Sequence, residues 1–497
     1  MRQIYVFFIT FGVLEILDMA KANTREPALI GRHEEKRLLR EALLSPKSEL
    51  VALIGRRRVG KTFLVRTVYR QELCFDLSGS LQAPISVQLG NFAKQLGAYM
   101  ATGIRPATPA NWAEAFEMLE VYLGGLPPQT KKVVFFDELP WLDTQHSGFL
   151  SAFDYFWNNW CTRRNDIVAV VCGSAASWMI KKIVKDKGGL HNRITCKIRL
   201  LPFTLSETKE FFAQKNIPLD HYQIAQLYMV MGGVPHYLEA VQRGKSAVQN
   251  IDAACFAENG LLRSEFENLY SSLFKNAGRH IAVIRALAKK KSGLTRNEIL
   301  QTAQLNSGGY LSGILNELEE SGFIASYRLP YRKAKDLVYR LEDEYSNFYL
   351  RFIEPNPGAR EGAWAVLSEG AQWKAWSGYA FESLCLKHIA KIKQALQIGG
   401  LYTQQYAWYD RALGAQIDLL IHRADKCMNL CEMKFAQGPY EITAADAKAL
   451  QQKIQAYRAA TGTNQTIFTT FVTAFGLKPN KWSEQYADAG ITLDQLF

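Results

Sequence analysis

An α/β fold, a parallel sheet wrapped by helices, is predicted for residues 27–205, with helical units after it and a second α/β region from residue 376 onward. Three observations predict it. Short apolar runs at Leu50–Ile54, Val133–Phe136 and Ile167–Cys172 read as buried parallel strands, separated by segments of helical periodicity. A glycine-rich stretch joins the first run to a helix that starts over Phe63–Tyr69. Beyond Ser206 the strand signal gives way to amphipathic helices, and it returns only in the last part of the chain.

Composition narrows the class. At 497 residues, 48% apolar and 21% charged, the chain is neither disordered nor fibrous and is long enough for several cores. Lys and Arg outnumber Asp and Glu by 59 to 47, a net charge of +12 that favours a polyanionic partner. The excess is uneven: residues 279–342 hold 11 basic and 6 acidic residues, whereas residues 343–497 hold 15 of each. Among eight cysteines the one close pair, Cys427 and Cys431, lacks the histidines or second pair that zinc requires, so reduced thiols and a cytoplasmic location are expected.

Residues 1–26 read as an N-terminal extension. The apolar run Ile4–Leu14 is too short to span a bilayer, which takes about 20 residues. Translation is expected to start at Met19. An amphipathic peptide on the core or a membrane, or a signal ending at Ala20-Lys21-Ala22, are the alternatives.

Gly55-Arg56-Arg57-Arg58-Val59-Gly60-Lys61-Thr62 fits G-x-x-x-x-G-K-[ST], set between a strand and a helix. Such a loop turns its backbone N–H groups and the helix N-terminus toward phosphates. Lys61 would reach the β and γ oxygens of ATP, and the Thr62 hydroxyl would bind Mg²⁺. A second strand should end in an acid, and Val133-Val-Phe-Phe-Asp137-Glu138 supplies it. Asp137 would hold the Mg²⁺ shell, and Glu138 would polarise the attacking water.

From these residues the chain resembles the AAA+ ATPases, in the prokaryotic branch of archaeal-type ATPases that extends toward the signalling NTPases. Four further stretches carry the likeness over residues 27 to about 275. Ile30-Gly31-Arg32-His33-Glu34-Glu35 resembles the family's box beside the adenine. Ser174, after the Ile167–Cys172 strand, stands where the family places its sensor-1 residue. Gly188–Arg193 resembles the segment carrying an arginine finger, with Arg193 as the finger or as a surface charge flanking a strand. Gly232-Gly-Val-Pro-His-Tyr-Leu238 resembles the signature of the branch's helical lid, or else caps and restarts helices. The resemblance implies a core at 27–205, a lid at 206–278, ATP and Mg²⁺ as cofactors, and a homo-oligomer.

Residues 279–345 read as helices over Ile281–Lys290, Leu294–Ala303 and Ser307–Ser321, then a hairpin of Phe323–Leu329 and Asp336–Leu341, which resembles a winged helix-turn-helix. Its third helix carries Glu317, Glu319 and Glu320 and no basic residue, while Arg328, Arg332, Lys333, Lys335 and Arg340 make the wing basic. Wing-to-phosphate contact with DNA or RNA and a protein-docking role both fit. Glu354-Pro-Asn-Pro-Gly358 marks residues 346–375 as a linker.

In residues 376–497, Asp418 interrupts one apolar strand and Glu432 and Lys434 fall on one face of the next. Two carboxylates can hold Mg²⁺ beside an ammonium that orients water. The pattern resembles the PD-(D/E)XK nucleases, with Glu382 in the position of a first-helix acid and a restriction-endonuclease-like α/β fold implied. A salt-bridged strand pair is the alternative. The whole reads as an ATPase whose nucleotide state controls the winged-helix and nuclease-like parts, without a stable membrane span. The alternative is a signalling or regulatory NTPase with a non-catalytic C-terminal binding module.

Overall fold

The computed structural model describes residues 29–497 except 102, 104, 128–130, 175, 185–192, 307–308, 329–336 and 411–414. The N-terminal extension, Gly188–Asn192 and the hairpin tip with Arg332, Lys333 and Lys335 lie outside the described residues.

Strands β1 (Glu49–Ile54), β2 (Leu73–Ser78), β3 (Lys132–Asp137), β4 (Ile167–Gly173) and β5 (Cys196–Arg199) form a parallel sheet ordered β2-β3-β4-β1-β5. Every residue of β1, β3 and β4 is buried, which is why these strands read as unbroken apolar runs. Alternate residues serve two layers. Leu50, Ala52, Val134 and Phe136 join an aromatic-rich core with Phe92, Trp112, Phe116 and Phe153. Val51, Leu53, Phe135 and Val170 pack on the helices His33–Leu44 and Lys61–Val68. Each fully buried side chain of this kind contributes about 1.5–3 kcal/mol.

Helices Leu205–Gln214, His221–Met231, Ala247–Cys255 and Glu265–Leu273 follow. Thr204 with Glu207 and Ser246 with Gln249 form capping boxes, and Asp220 caps the second helix, so these starts are written in the sequence. Next come Ala277–Ala288, Arg296–Thr302 and Tyr310–Glu320 with β6 (Leu294–Thr295), β7 (Ile324–Arg328) and β8 (Leu337–Leu341), ordered β6-β8-β7. The expected helix over Leu294–Ala303 therefore starts late. Leu294 and Thr295 pair with Tyr339 and Val338, and Thr295 then caps the helix, making the expected two-stranded hairpin a three-stranded sheet.

Residues 346–375 are not a linker. They carry the helical turns Glu344–Phe348 and Ala363–Leu367 and the start of the helix Ala371–Lys387. Phe348, Phe352, Trp364, Trp373 and Trp376 are buried against one another. The Pro-Asn-Pro-Gly stretch makes a turn, but the aromatic side chains on both sides bury far more surface than a linker would.

The C-terminal sheet is mixed. Strands β9 (Thr403–Asp410), β10 (Ala415–Arg423) and β11 (Cys427–Lys434) run antiparallel, and β11, β12 (Thr466–Thr473) and β13 (Ala489–Thr492) run parallel, in the order β13-β12-β11-β10-β9. The helix Ala371–Lys387 shares a core with Leu419, Ile421 and Met433 on one face, and Ala444–Thr461 packs on Ile417, Leu420 and Leu430 on the other. No described helix is long and apolar enough to cross a membrane.

Candidate functional site

Strand register builds the first site. Ile54 lies beside Gly173, and Phe136 beside Val171, so the C-terminal ends of β1, β4 and β3 stand in a row. Gly55–Thr62 leaves the first, Ser174 the second, and Asp137 and Glu138 the third. Gly55 is required by contact, because a Cβ there would meet the Leu200 carbonyl oxygen at 2.4 Å. Gly60 is required by its backbone, at φ +90°. The Lys61 ammonium donates to the carbonyl oxygens of Gly55 (2.9 Å) and Arg56 (3.0 Å), lying inside the loop. Thr62 Oγ1 donates to Asp137 Oδ2 at 2.6 Å.

Glu138 takes the left-handed backbone region at φ 48°, which costs a non-glycine residue energy. Its Oε2 accepts from the Ser174 backbone N–H (3.1 Å) and hydroxyl (2.8 Å). Ser174, expected as a contact to nucleotide, thus holds Glu138.

The loop's arginines do something the motif does not announce. Arg56, which is 5% exposed, pairs with Asp343 just after β8 and lies over the Phe323 ring at 4.8 Å. Asp343 also accepts from the Ser346 N–H at 2.8 Å; burial raises its carboxyl, but the Arg56 charge and the Ser346 donors together hold it below the usual range. Arg58 pairs with Glu265, which accepts from the Tyr237 hydroxyl at 3.0 Å. These two guanidinium groups tie the loop to Asp343, just after β8, and to the helix Glu265–Leu273, while Arg58 also lines the cavity beside the loop. Next to Arg58 and Gly60 opens a cavity of about 880 Å³ walled by Leu29, Ile30, Phe63, Phe211, Pro235 and His236. The wall brings together two of the four family-like stretches, the one at Ile30 and the one at Pro235, and its apolar faces suit a purine ring beside the phosphate loop.

Arg193 is exposed and outside that cavity; burial raises the Asp154 carboxyl, and the Arg193 charge offsets only part of that.

The second site lies in the C-terminal sheet. The strand register is irregular between Ile417 and Leu420, a bulge that puts both on one face although they are three residues apart. Asp418 sits in that bulge. It shares a cavity of about 800 Å³ with Glu382, Glu432, Lys434 and Lys453. Burial, then the Asp418 carboxylate, push Glu382 up to about 8; burial, then Glu432, raise Asp418. Among the described residues Glu382 makes no hydrogen bond or ion pair, and Asp418 accepts only a long bond from Gln416 at 3.4 Å. Glu432 differs: it takes Lys453 at 2.5 Å and Lys434 at 3.7 Å. No three acidic, His or Cys side chains among the described residues form a ready-made metal cage. Two carboxylates outside any ion pair are nevertheless oxygen donors of the kind a hard divalent ion takes.

The structure therefore brings Lys61, Thr62, Asp137, Glu138 and Ser174 to one place and Glu382, Asp418, Glu432 and Lys434 to another. Sequence reasoning missed Asp343, Glu265 and Lys453. Lys453 had a signal: it falls on the buried stripe of its helix, three residues after Leu450 and four before Tyr457. Asp343 and Glu265 had none, because their partners are distant in the chain.

None of the known family models matches the chain. An uncharacterized protein of Methanocaldococcus jannaschii is 25% identical over 419 residues, covering 82% of this chain and 87% of that relative. Among solved structures, the Walker-type ATPase of Pyrococcus abyssi matches 66% of this chain and 98% of its own at 18% identity, with a TM-score of 0.47. The Aeropyrum pernix ORC2 protein, in its ADPNP–ADP complexes, matches 69% of this chain and 96% of its own at 15% identity, with a TM-score of 0.41. Thermotoga maritima RuvB matches 62% of this chain and 92% of its own at 13% identity, with a TM-score of 0.33.

Proposed function

We propose that the chain is an AAA+-type ATPase whose nucleotide state sets the winged module and, through it, a metal-dependent C-terminal site that cleaves phosphodiesters of nucleic acid. The observation that carries the ATPase reading is the 2.6 Å contact of Thr62 with Asp137, next to the Lys61 ammonium. A hydroxyl and a carboxylate side by side are the protein's share of a Mg²⁺ shell in a P-loop site, so the residues fit the ion. Bound Mg²⁺ would neutralise charge on the β and γ oxygens. Lys61 would leave its two carbonyl acceptors for those oxygens, and the loop N–H groups would hold the phosphates. Glu138 would take the proton of the attacking water once Ser174 releases it.

The nuclease reading rests on Glu382 and Asp418, two acids that face one cavity and form no ion pair there among the described residues, although Lys434 and Lys453 line the same cavity. Burying two such acids together is relieved either by a proton on one of them or by a cation joining both, and a divalent ion would take the place of the proton. The opposing reading, a binding module under a regulatory NTPase, has one observation in its favour. The third helix of the winged module, Tyr310–Glu320, is packed on Ala176–Met179 of the ATPase core, so it is not free to enter a groove. One experiment separates them. Purified protein is incubated with labelled DNA or RNA and Mg²⁺ or Mn²⁺, with and without ATP, while phosphate release is followed. Metal-dependent cleavage that Asp418→Ala removes without slowing ATP hydrolysis is expected. ATP hydrolysis with no cleavage under any condition would leave the binding module.

A further inference from the structure

Lys453 is an unusual residue for its place. The helix Ala444–Thr461 starts at a capping box of Thr443 and Asp446 and packs through Ala447, Leu450, Ala456 and Tyr457. Position 453 belongs to that packed stripe, where an apolar side chain would be the ordinary choice. Lysine there must carry its ammonium past the apolar contact, and it ends on Glu432 Oε1 at 2.5 Å, with its side chain 22% exposed. Glu432 is 5% exposed and lines the same cavity as Glu382 and Asp418. Lys434, from the same strand as Glu432, stands farther away at 3.7 Å.

From this geometry we infer that Lys453 is a built-in counter-ion holding the Glu432 carboxylate in place of a divalent cation, so that metal enters the site only by displacing the Lys453 ammonium. The inference rests on the metal-site reading above. An acid turned onto an ammonium is one donor short for a metal, which accounts for three acids lining one cavity without forming a cage. A metal ion that reaches Glu382 and Asp418 gains their carboxylate oxygens, displacing any proton they share, and must compete with Lys453 for Glu432. Affinity for the ion is then set by the strength of the Lys453–Glu432 pair as well as by the acids. Removing the ammonium should free Glu432 and tighten metal binding, the reverse of what loss of a merely stabilising side chain would do.

The test is calorimetric titration of Mn²⁺ into the full-length protein and into Lys453→Met, Lys453→Arg and Lys434→Met. Methionine keeps the packed volume of the stem. Lys453→Met is expected to bind Mn²⁺ about tenfold more tightly than wild type, the worth of one ion pair of about 1.4 kcal/mol. Lys453→Arg keeps the charge and should stay near wild type, and Lys434→Met should gain less than Lys453→Met. Equal or weaker binding by Lys453→Met, with wild type binding normally, overturns the role of Lys453 and leaves the metal site standing. Binding by Lys453→Met when wild type shows none supports the inference in its strongest form. No binding by any of the four proteins at millimolar Mn²⁺ overturns both. Should Lys453→Met fail to fold, Lys453→Gln, neutral and polar, carries the same comparison.

Discussion

Arg56 and Asp343, 287 residues apart in the chain, form an ion pair almost closed to water, 5% and 1% exposed. It ties the phosphate loop to the base of the winged module. The next residue, Glu344, is buried as well and takes Lys387 at 2.5 Å, from the helix that carries Glu382. Loop, winged module and C-terminal domain are thus joined through two adjacent acids.

Breaking one side of this junction is expected to be costly. Asp343→Ala would strand the Arg56 guanidinium without a partner, a loss of about 3–5 kcal/mol. Arg56→Met combined with Asp343→Leu removes both charges and should recover most of that. Thermal melts of the three variants check it; a double variant as unstable as Asp343→Ala would refute the pairing as the cause.

At the phosphate loop the outcomes split. Lys61→Ala is expected to abolish ATP binding, measured with a fluorescent nucleotide. Glu138→Gln should bind ATP normally and hydrolyse it about 10²–10⁴-fold more slowly. Wild-type turnover in both would remove the site from consideration.

Arg193 is exposed, and as a finger it would act on a γ-phosphate presented by a second copy of the chain. Turnover per subunit should rise with protein concentration, and Arg193→Ala should lower it about a thousandfold while leaving nucleotide affinity alone. Full turnover by the Arg193→Ala variant would make the residue a surface charge.

Asp418→Asn gives opposite signs for the two readings of the C-terminal acids. If Asp418 and Glu382 await a cation, the substitution relieves their mutual repulsion, so the metal-free melting temperature rises while Mn²⁺ binding is lost. If the acids only pair with the lysines, the melting temperature falls.

Acid should unfold the chain partly through His388. Its Nε2 accepts from the Leu205 N–H at 3.0 Å and its Nδ1 faces the Leu384 carbonyl oxygen at 2.8 Å, so the ring is held neutral. Burial lowers it from 6.5 to about 4. The unfolded chain then binds the extra proton between these values, and stability falls as pH drops from about 6.5 to 4. The loss approaches about 3 kcal/mol. Melting temperatures from pH 7 to 4.5 should fall more steeply for wild type than for His388→Asn.

Much of this architecture was legible in the residues. Leu50–Ile54, Val133–Phe136 and Ile167–Cys172 are unbroken apolar runs because both faces of the sheet are covered. Lys61, Thr62 and Asp137 follow from local spacing. What escaped depends on distant partners or on departures from period two. The bulge at Asp418 breaks the alternation of its strand, so spacing alone does not say which face it takes. The side-chain partners of Arg56 and Arg58, Asp343 and Glu265, come from elsewhere in the chain and leave no mark near the loop. Pro355 and Pro357 read as linker residues because the packing of Phe348, Phe352 and Trp364 around them has no short-range signature.

The docking of Tyr310–Glu320 on Ala176–Met179 is reinforced by Arg199, whose Nη2 reaches the carbonyl oxygens of Glu319 (3.4 Å) and Glu320 (3.3 Å). One face of that helix cannot serve two neighbours. A duplex using it would bind only molecules in which the winged module has come away from the sensor strand's end. Thermodynamic reciprocity then follows: whatever factor nucleotide imposes on affinity for the duplex, the duplex imposes on affinity for nucleotide. A mixed titration, ATP analogue against duplex in both orders, would give that factor twice and has to return the same value.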